Sequence, residues 1–380
     1  MRIMRVYFDN AASTPMDAEV FEKMLPFLKE QHGNPSSVHY HGRNLRNAVE
    51  QARKQIATEL NCSVSEIIFT SGGTEADNYA IKSSVEGLGI EHIISSPIEH
   101  HAVTHTVELV SHKHNIPVSW LKPNEKGQFS LEELEDLLKK NPKSLVSLMH
   151  ANNEIGTIAD IEAVGKLCRQ YGAIFHSDTV QTVGTLPIDL QQIPVDFITG
   201  AAHKFYGPKG IGFLFRREGL NVPSLICGGT QERNQRAGTE NVAGIVGMAA
   251  ALEKCIKIRN EKITHLQNLK DSFISRVQNL VPGTTINGIS EKGGSLPSVA
   301  NIAFPGKDLE SMLLMNLDIH QISASGGSAC TSGANSVSHV LSGIGCAPVR
   351  CANSVRFSFG MQNTMEEVDY VVNTLVKLVK

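Results

Sequence analysis

Three side chains of this sequence stand in settings that suggest covalent or ionic chemistry. Lys204 lies in a glycine-rich turn at residues 202–210, where a sequestered amine could form a Schiff base, although most lysines on such turns are ordinary surface groups. Cys330 is surrounded by Gly, Ser, Ala and Thr, which favours an exposed, reactive thiol over an incidental loop cysteine. Arg356 lies in an apolar, strand-like run, where it could grip a carboxylate or form a structural salt bridge.

Two other features could bind an anion and a cationic ring. Residues 71–74, Ser-Gly-Gly-Thr, stand between a predicted strand and a predicted helix. Free N–H groups there suit a phosphate, and a tight turn with an N-cap is equally consistent. Asp178 ends another predicted strand, with Gln181 three residues later. Its carboxylate could keep a pyridine-type ring nitrogen protonated, or it could simply cap the next segment.

Several imidazoles follow a third predicted strand. The sequence Glu99-His100-His101 comes after residues 92–95, and an imidazole there could stack on a flat cofactor and transfer protons near neutral pH. His101 and His105 are four residues apart, as two metal ligands on a helix would be. No third ligand or His-Glu-x-x-His pattern accompanies them, so we expect no metal site.

The elements that would position these residues alternate between strands and helices. Strands are predicted at residues 67–70, 92–95, 144–150, 173–177, 196–200 and 211–216. Helices are predicted at residues 43–60, 99–111, 131–139 and 160–171, with one long helix from Gly247 to about residue 280. This order indicates an α/β fold with a mostly parallel central sheet, helices on both faces, and ligands at the carboxyl ends of the strands. We expect a large domain at residues 15–255 and a smaller α+β domain at residues 256–380, joined by residues 1–14.

Composition excludes several other classes of protein. The chain has 380 residues, a net charge of −3 and 41% hydrophobic residues, which indicates a globular protein and argues against a direct nucleic-acid partner. Its longest apolar run, residues 242–252, is too short to cross a membrane, and the N-terminus lacks a signal-peptide pattern. The seven cysteines form no Cys-x-x-Cys pair. We therefore expect a cytoplasmic protein with reduced thiols.

Together these motifs resemble the NifS/IscS-type cysteine desulfurases, in the class V aminotransferase group of fold-type I pyridoxal-phosphate enzymes. The resemblance runs nearly end to end, and the order of its many matches makes it specific. The matching stretches are residues 7–15, 33–37 with His39, 70–78, 152–156, Asp178 with Gln181, 203–210, 236–241, the Cys330 loop, 338–341 and Arg356.

The resemblance implies a fold-type I transferase that binds pyridoxal 5′-phosphate. Lys204 would form the Schiff base with the cofactor, and His100 would stack on the ring. Asp178 would pair with the ring nitrogen and Gln181 with the ring hydroxyl. The remaining implied cofactor ligands are Gly73, Thr74, His203, Asn153 and, from the partner subunit of a homodimer, Thr239.

The resemblance also implies the reaction. Asn153 and Arg356 would bind the carboxylate of L-cysteine, and Cys330 would take its sulfur as a persulfide and leave L-alanine. Lys204, Cys330 and His100 would be catalytic, and the sulfur would pass to a scaffold or tRNA-thiolation protein. Two alternatives stay open: another class V enzyme, such as a selenocysteine lyase or an aminotransferase, and an inactive interaction paralogue.

The sequence departs from the family pattern at one position. Ala201 and Ala202 precede His203 where the family usually has a serine that binds the phosphate. The loss of one donor to a charged group would weaken binding by about 1.5–3 kcal/mol, unless another hydroxyl, such as that of Thr199, replaces it. The resemblance implies no role for Cys346 or Cys351.

Overall fold

A computed structural model describes residues 4–306, 312–326 and 338–379. The strands in these ranges are β1 (Val6–Tyr7), β2 (Ile67–Thr70), β3 (His92–Ser95), β4 (Val118–Trp120), β5 (Ser144–Ser147), β6 (Ile174–Asp178), β7 (Phe197–Ala201), β8 (Gly212–Arg216), β9 (Thr285–Asn287), β10 (Val299–Ala303), β11 (Ile322–Ser323) and β12 (Ser354–Ser358). The helices are α1 (Ala18–Lys29), α2 (Tyr40–Glu59), α3 (Gly73–Gly87), α4 (His101–His114), α5 (Leu131–Lys140), α6 (Ile161–Tyr171), α7 (Gln231–Asn234), α8 (Val242–Lys257), α9 (Arg259–Leu280), α10 (Met312–Ile319), α11 (His339–Gly343), α12 (Pro348–Ala352) and α13 (Met365–Val379).

The main sheet has seven strands in the order β2-β8-β7-β6-β5-β3-β4. The strands from β7 to β4 pair in parallel, and β8 is antiparallel to both of its neighbours. β2, β3, β5 and β7 are buried along their whole length, as expected for strands with helices on both faces. The predicted α/β fold with a mostly parallel sheet is therefore confirmed.

The main apolar core lies between this sheet and the helices α1, α2 and α8. Leu45, Val49 and Ile56 recur at the spacing of one helical face of α2, and all three are buried. Val49 and Ile56 share a core with Phe213 and Phe215 of β8. Because α2 and α1 both pack on α8, these helices form one layer against a face of the sheet.

A second apolar core joins the N-terminal segment to the C-terminal part of the described chain. The ring of Phe8 is fully buried and lies 6.1 Å from that of Phe273 and 4.9 Å from that of Phe359. Around this core β10 pairs with β9 and β12, and β1 pairs with β11. The predicted division into residues 15–255 and 256–380 falls within α8 and stays a prediction.

The single long helix predicted from Gly247 to residue 280 is wrong. Two helices, α8 and α9, meet at Ile258, which ends one and begins the other. The break has a tertiary cause, because α8 packs on α1 and α2 whereas α9 packs on α13 and β10. Across the described ranges, no helix is long and apolar enough to cross a membrane.

Candidate active site

One cavity of about 370 Å³ lies at the carboxyl ends of β2, β3, β5, β6 and β7. It collects the predicted site residues of the described chain, with the exception of Thr239. Those that line it are Gly73, Thr74, His100, Asn153, Asp178, Gln181, His203, Lys204 and Arg356. Cys330, the predicted nucleophile, lies outside the described residues.

The N-terminal segment holds the Lys204 amine in this cavity. Lys204 follows β7 in a short 3₁₀ turn, and its Nζ donates to the carbonyl oxygens of Ala11 at 2.6 Å and Ala12 at 2.9 Å. The Gln181 side chain donates to the same Ala11 oxygen at 3.0 Å. These three hydrogen bonds are accepted by backbone oxygens of the N-terminal segment. The side-chain types in the sequence therefore gave no reason to assign Ala11 or Ala12 a role in the site.

Asp178 is a buried carboxylate at the end of β6. Its Oδ1 accepts the Val180 N–H at 2.9 Å, as a local cap would, and the side chain also lines the cavity. Burial, and then the negative charge of Asp77, raise its pKa to about 6. A carboxylate that is destabilised in this way gains most from a cation in the cavity, such as a protonated ring nitrogen.

The start of α3 forms the opposite end of the cavity. A Cβ on Gly73 would lie 2.7 Å from Val180 Cγ2, so a larger residue there would force the Val180 side chain to move. The same position is 3.8 Å from the Cβ of Ala201, which places the missing serine hydroxyl beside the helix start. The Thr199 hydroxyl is directed toward Asp178, with its Oγ1 3.4 Å from Asp178 Oδ1.

Both histidines predicted to contact the cofactor are held in the neutral form. The pKa of His203 is lowered to about 4 by burial and by the positive charges of Lys204 and Lys209. His100 caps α4, and its Nδ1 accepts the Ala102 N–H at 3.1 Å, which places the ring proton on Nε2. Burial lowers the pKa of His100 as well.

Three other histidines near the cavity lie in contact with one another. The ring of His101 lies 4.7 Å from that of His105 and 4.2 Å from that of His339. Among the residues that the structure describes, no group of three or more His, Cys, Asp or Glu side chains is arranged to hold a metal ion. The sequence assigned no role to His339, which follows the Cys330 loop and donates its Nε2–H to the Glu99 carbonyl oxygen at 2.8 Å.

Arg356 both forms an ion pair and lines the cavity. It is 2% exposed, and its Nη2 lies 2.8 Å from Asp9 Oδ1. Its Nη1 donates to the Asn153 carbonyl at 2.9 Å. The two readings of the sequence, a salt bridge and a carboxylate ligand, are therefore compatible.

The chain on each side of the Cys330 stretch is bound to this wall of the cavity. The Ser325 hydroxyl donates to Asp9 at 2.8 Å, and the Ser338 hydroxyl donates to Glu154 at 2.5 Å. Glu154 is fully buried and lines the cavity. Asp9 and Glu154 lie in the stretches 7–15 and 152–156 that match the family, but the sequence assigned neither of them a role, because each acts through these long-range contacts.

Thr239 lies away from the other predicted ligands. It is exposed and lines a separate cavity of about 170 Å³ with Ser71, Arg236 and Glu240. Within a single chain it does not reach the Lys204 cavity. Its expected contribution from a partner subunit stays a prediction.

Comparison with known proteins places this site in a family. The model of the class-V aminotransferases matches residues 6–371. The chain belongs to the class-V aminotransferase family. It is 43% identical to the cysteine desulfurase IscS of Dictyoglomus turgidum over 378 residues, which cover 99% of this chain and 94% of that protein. It is 40% identical to the IscS of Methanosarcina thermophila over 381 residues, covering 99% and 92%.

Solved structures agree with this family. The fold matches a NifS-like protein with a TM-score of 0.91 and 37% identity, and the match covers 99% of each chain. It matches a NifS-like protein from Rickettsia africae with a TM-score of 0.88 and 31% identity, again over 99% of each chain. The family uses pyridoxal 5′-phosphate, and the cavity fits that cofactor: it combines a lysine amine, a carboxylate whose pKa is raised by burial, and a helix that begins with a closely packed glycine.

Proposed function

We propose that this chain is a pyridoxal-phosphate-dependent cysteine desulfurase that converts L-cysteine to L-alanine and receives the sulfur as a persulfide on Cys330. The observation that carries the proposal is the single cavity that joins Lys204 and Asp178 to Arg356. The similarity to proteins named cysteine desulfurase over nearly the whole chain supports it.

The residues of the cavity divide into a cofactor end and a substrate end. Gly73, Thr74 and His203 would hold the phosphate, where the N–H groups at the start of α3 favour an anion. Asp178 would hold the ring nitrogen, while Lys204 would anchor the cofactor. When bound, pyridoxal phosphate supplies an electron-withdrawing ring that stabilises negative charge at the substrate α-carbon.

Arg356 and Asn153 would orient L-cysteine through its carboxylate. The guanidinium is fixed by Asp9 on one side and by the Asn153 carbonyl on the other, so it needs little ordering when the substrate binds. Its burial strengthens its attraction for an anion. We expect the substrate sulfur to lie on this same side of the cavity, because Ser325 and Ser338, on either side of the Cys330 stretch, are bound to the same wall.

Cys330, in its thiolate form, would attack the substrate sulfur. The new S–S bond forms as the substrate C–S bond breaks, and the electron pair of that bond stays with the substrate carbon. The Lys204 amine would first take the α-proton of the substrate. The resulting ammonium group, or His100 once it has gained a proton, would then protonate the carbon skeleton that becomes alanine. No external oxidant is needed, because the sulfur is oxidised as the carbon is reduced.

The proposal includes partners and a location that the sequence led us to expect. A homodimer would bring Thr239 of each subunit to the phosphate of the other, and its exposure in the single chain is compatible with that role. The persulfide would pass to a scaffold or tRNA-thiolation protein in the cytoplasm, for iron–sulfur cluster or thionucleoside assembly. Neither nucleic acid nor membrane is a proposed partner.

The purified protein tests the proposal through its visible absorbance and its products. We expect an absorbance band at roughly 400 nm from protein-bound cofactor, alanine formed from cysteine, and a persulfide on Cys330. Lys204→Ala should lose the band and the turnover while remaining folded. Substantial desulfurase activity in Lys204→Ala would refute the cofactor assignment. Alanine formation without persulfide labelling would favour another class V activity, and an absent band would favour an inactive paralogue.

A further inference from the structure

The segment that leads to Thr239 has an unusual backbone. Glu232, Arg233 and Asn234, in the short turn α7, have positive φ angles of 47°, 56° and 65°. This left-handed region is disfavoured for residues with a side chain, above all for several in succession. The turn therefore depends on tertiary contacts to keep its shape. Backbone held in this way is often found where a protein must fix the position of a functional group.

A buried ion pair fixes the beginning of this segment. The Glu232 side chain is 3% exposed, and its two oxygens accept hydrogen bonds from Arg53 Nη1 at 2.6 Å and Arg53 Nη2 at 2.8 Å. Glu232 Oε2 also accepts the N–H of Phe69, in β2, at 2.9 Å. The Arg53 guanidinium lies over the Phe69 ring, 4.4 Å from its centre. A two-point pairing of arginine with a carboxylate has a fixed geometry, so it holds the turn against α2 and β2.

A second ion pair fixes the segment closer to Thr239. Arg236 Nε donates to Glu75 Oε1 at 2.9 Å, and Arg236 Nη2 donates to Glu75 Oε2 at 3.1 Å. Glu75 lies in the first turn of α3 and also accepts the Ser71 N–H at 2.8 Å. The segment therefore rests on the same helix start that is proposed to bind the phosphate in its own subunit.

Further contacts bind the segment between the two ion pairs and beyond them. The hydroxyl of the fully buried Tyr79 donates to the Gln235 carbonyl oxygen at 2.7 Å. After Thr239, Asn241 caps α8, and its Oδ1 accepts the Gly244 N–H at 3.1 Å. Thr239 itself is exposed. The segment is thus bound to its own subunit on both sides of one exposed threonine.

We propose that Glu232 and Arg236 are positioning residues that hold Thr239 where it can reach the phosphate bound in the other subunit of a homodimer. The proposal rests on the proposed function, in which Thr239 acts across the subunit interface. Each positioning residue belongs to the same chain as the Thr239 that it holds. Its loss therefore weakens cofactor binding in the partner subunit and not in its own, whereas a residue needed only for the stability of the fold would affect both.

Mixed dimers with a single working cofactor site test this proposal. Lys204→Ala in one subunit leaves only the other subunit able to join the cofactor to lysine. Arg236→Gln is then placed either in the subunit that keeps Lys204 or in the Lys204→Ala subunit. The two subunits carry different affinity tags, so that each purified dimer contains one of each. The dissociation constant of pyridoxal phosphate is measured by visible absorbance on each cofactor-free mixed dimer.

We expect Arg236→Gln to weaken cofactor binding when it stands in the Lys204→Ala subunit, which supplies Thr239 to the working site. Displacement of a hydroxyl that donates to a charged group raises the dissociation constant by about 10- to 150-fold. In the other arrangement the constant should equal that of the mixed dimer without Arg236→Gln, because Glu75 keeps its hydrogen bond from Ser71 at the start of α3. Comparable weakening in the two arrangements, or weakening in neither, would overturn the proposal.

Thr239→Val in the Lys204→Ala subunit separates a failure of this proposal from a failure of the proposed function. It should weaken binding by about 10- to 150-fold, and Arg236→Gln added to it should weaken binding little further, because both changes act through one hydroxyl. If Thr239→Val weakens binding and Arg236→Gln does not, the positioning role is refuted and the proposed function stands. If Thr239→Val has no effect, the proposed contribution of Thr239 across the interface is refuted, and the positioning role with it.

Arg276→Gln is the matched control for loss of an arginine from an ion pair. Arg276, on α9, is paired with Asp369 on α13, beside the second apolar core. In the Lys204→Ala subunit it should leave the dissociation constant unchanged. A weakening equal to that of Arg236→Gln would overturn the proposal, because the loss of any ion pair would then be sufficient.

Glu232→Gln gives a second test that does not depend on the folding of Arg236→Gln. Glutamine loses the charge that pairs with Arg53, although its oxygen can still accept the Phe69 N–H. We expect weaker cofactor binding when Glu232→Gln stands in the Lys204→Ala subunit, and an unchanged dissociation constant in the other arrangement. Weakening that does not depend on the arrangement would show a purely structural role and would overturn the proposal.

Discussion

Ala201→Ser is expected to tighten the binding of pyridoxal phosphate. The Ala201 side chain is 1% exposed, lines the cavity, and lies beside the start of α3, where the phosphate is proposed to bind. Serine adds one hydroxyl at this place, and a hydrogen bond to a charged group is worth about 1.5–3 kcal/mol. That energy corresponds to a dissociation constant lower by about 10- to 150-fold.

The assay is a titration of cofactor-free protein with pyridoxal phosphate, followed by visible absorbance. Ala202→Ser is the matched control, because Ala202 is fully buried in the main apolar core and does not line the cavity. Ala202→Ser should not tighten the binding of pyridoxal phosphate. It should destabilise the fold, because the new hydroxyl would be buried among apolar side chains. An unchanged dissociation constant for Ala201→Ser, or a tighter one for Ala202→Ser, would refute this assignment of the phosphate end.

Three further predictions concern Asp178 and Arg356. Asp178→Asn should retain the cofactor but lower kcat by several orders of magnitude, because an unprotonated ring is a poor electron sink; an unchanged kcat would show that Asp178 is only a cap. In cofactor-free protein, burial raises the pKa of Asp178, so the ionisation of Asp178 lowers the stability of the wild type as pH rises from about 4 to 6. The Tm of Asp178→Asn minus the Tm of the wild type should therefore increase across that range. A Tm difference that does not change with pH would contradict this. Arg356→Gln should raise the KM for cysteine by about 10- to 150-fold through the loss of a charge-assisted hydrogen bond, and a wild-type KM would remove Arg356 from the substrate site.

The sequence predicted the parts of the fold that depend on local pattern. Apolar runs marked β2 and β3, and the three- and four-residue spacing marked α2, because burial of one helical face leaves that period in the sequence. The break at Ile258 was missed, since both flanking segments are helical and only their different packing partners separate them. The edge strand β4 was also missed, because its three residues are half-buried and carry no clear alternation.

The candidate site shows the same limit. Side chains at strand ends, such as Lys204 and Asp178, could be predicted because a parallel sheet brings those ends together. Asp77 could have been noticed as a charged residue on the buried face of α3, beside Ala76 and Ala80. The carbonyl of Ala11 could not, because every residue has one and only the tertiary fold brings this one to the lysine.

Alanine production by purified cysteine variants under reducing conditions is the most direct test of the central claim. Cys330→Ser should bind pyridoxal phosphate normally and form almost no alanine, because sulfur release needs that thiolate. Serine replacements of Cys227, Cys346 and Cys351 are the controls. Cys227 is an exposed cysteine, and burial raises the pKa of Cys351 to about 12, so Cys351 stays a thiol and is a poor nucleophile. These three variants should keep turnover largely intact. Normal alanine formation by Cys330→Ser, or an equal loss in Cys346→Ser or Cys351→Ser, would contradict the persulfide mechanism at its central step.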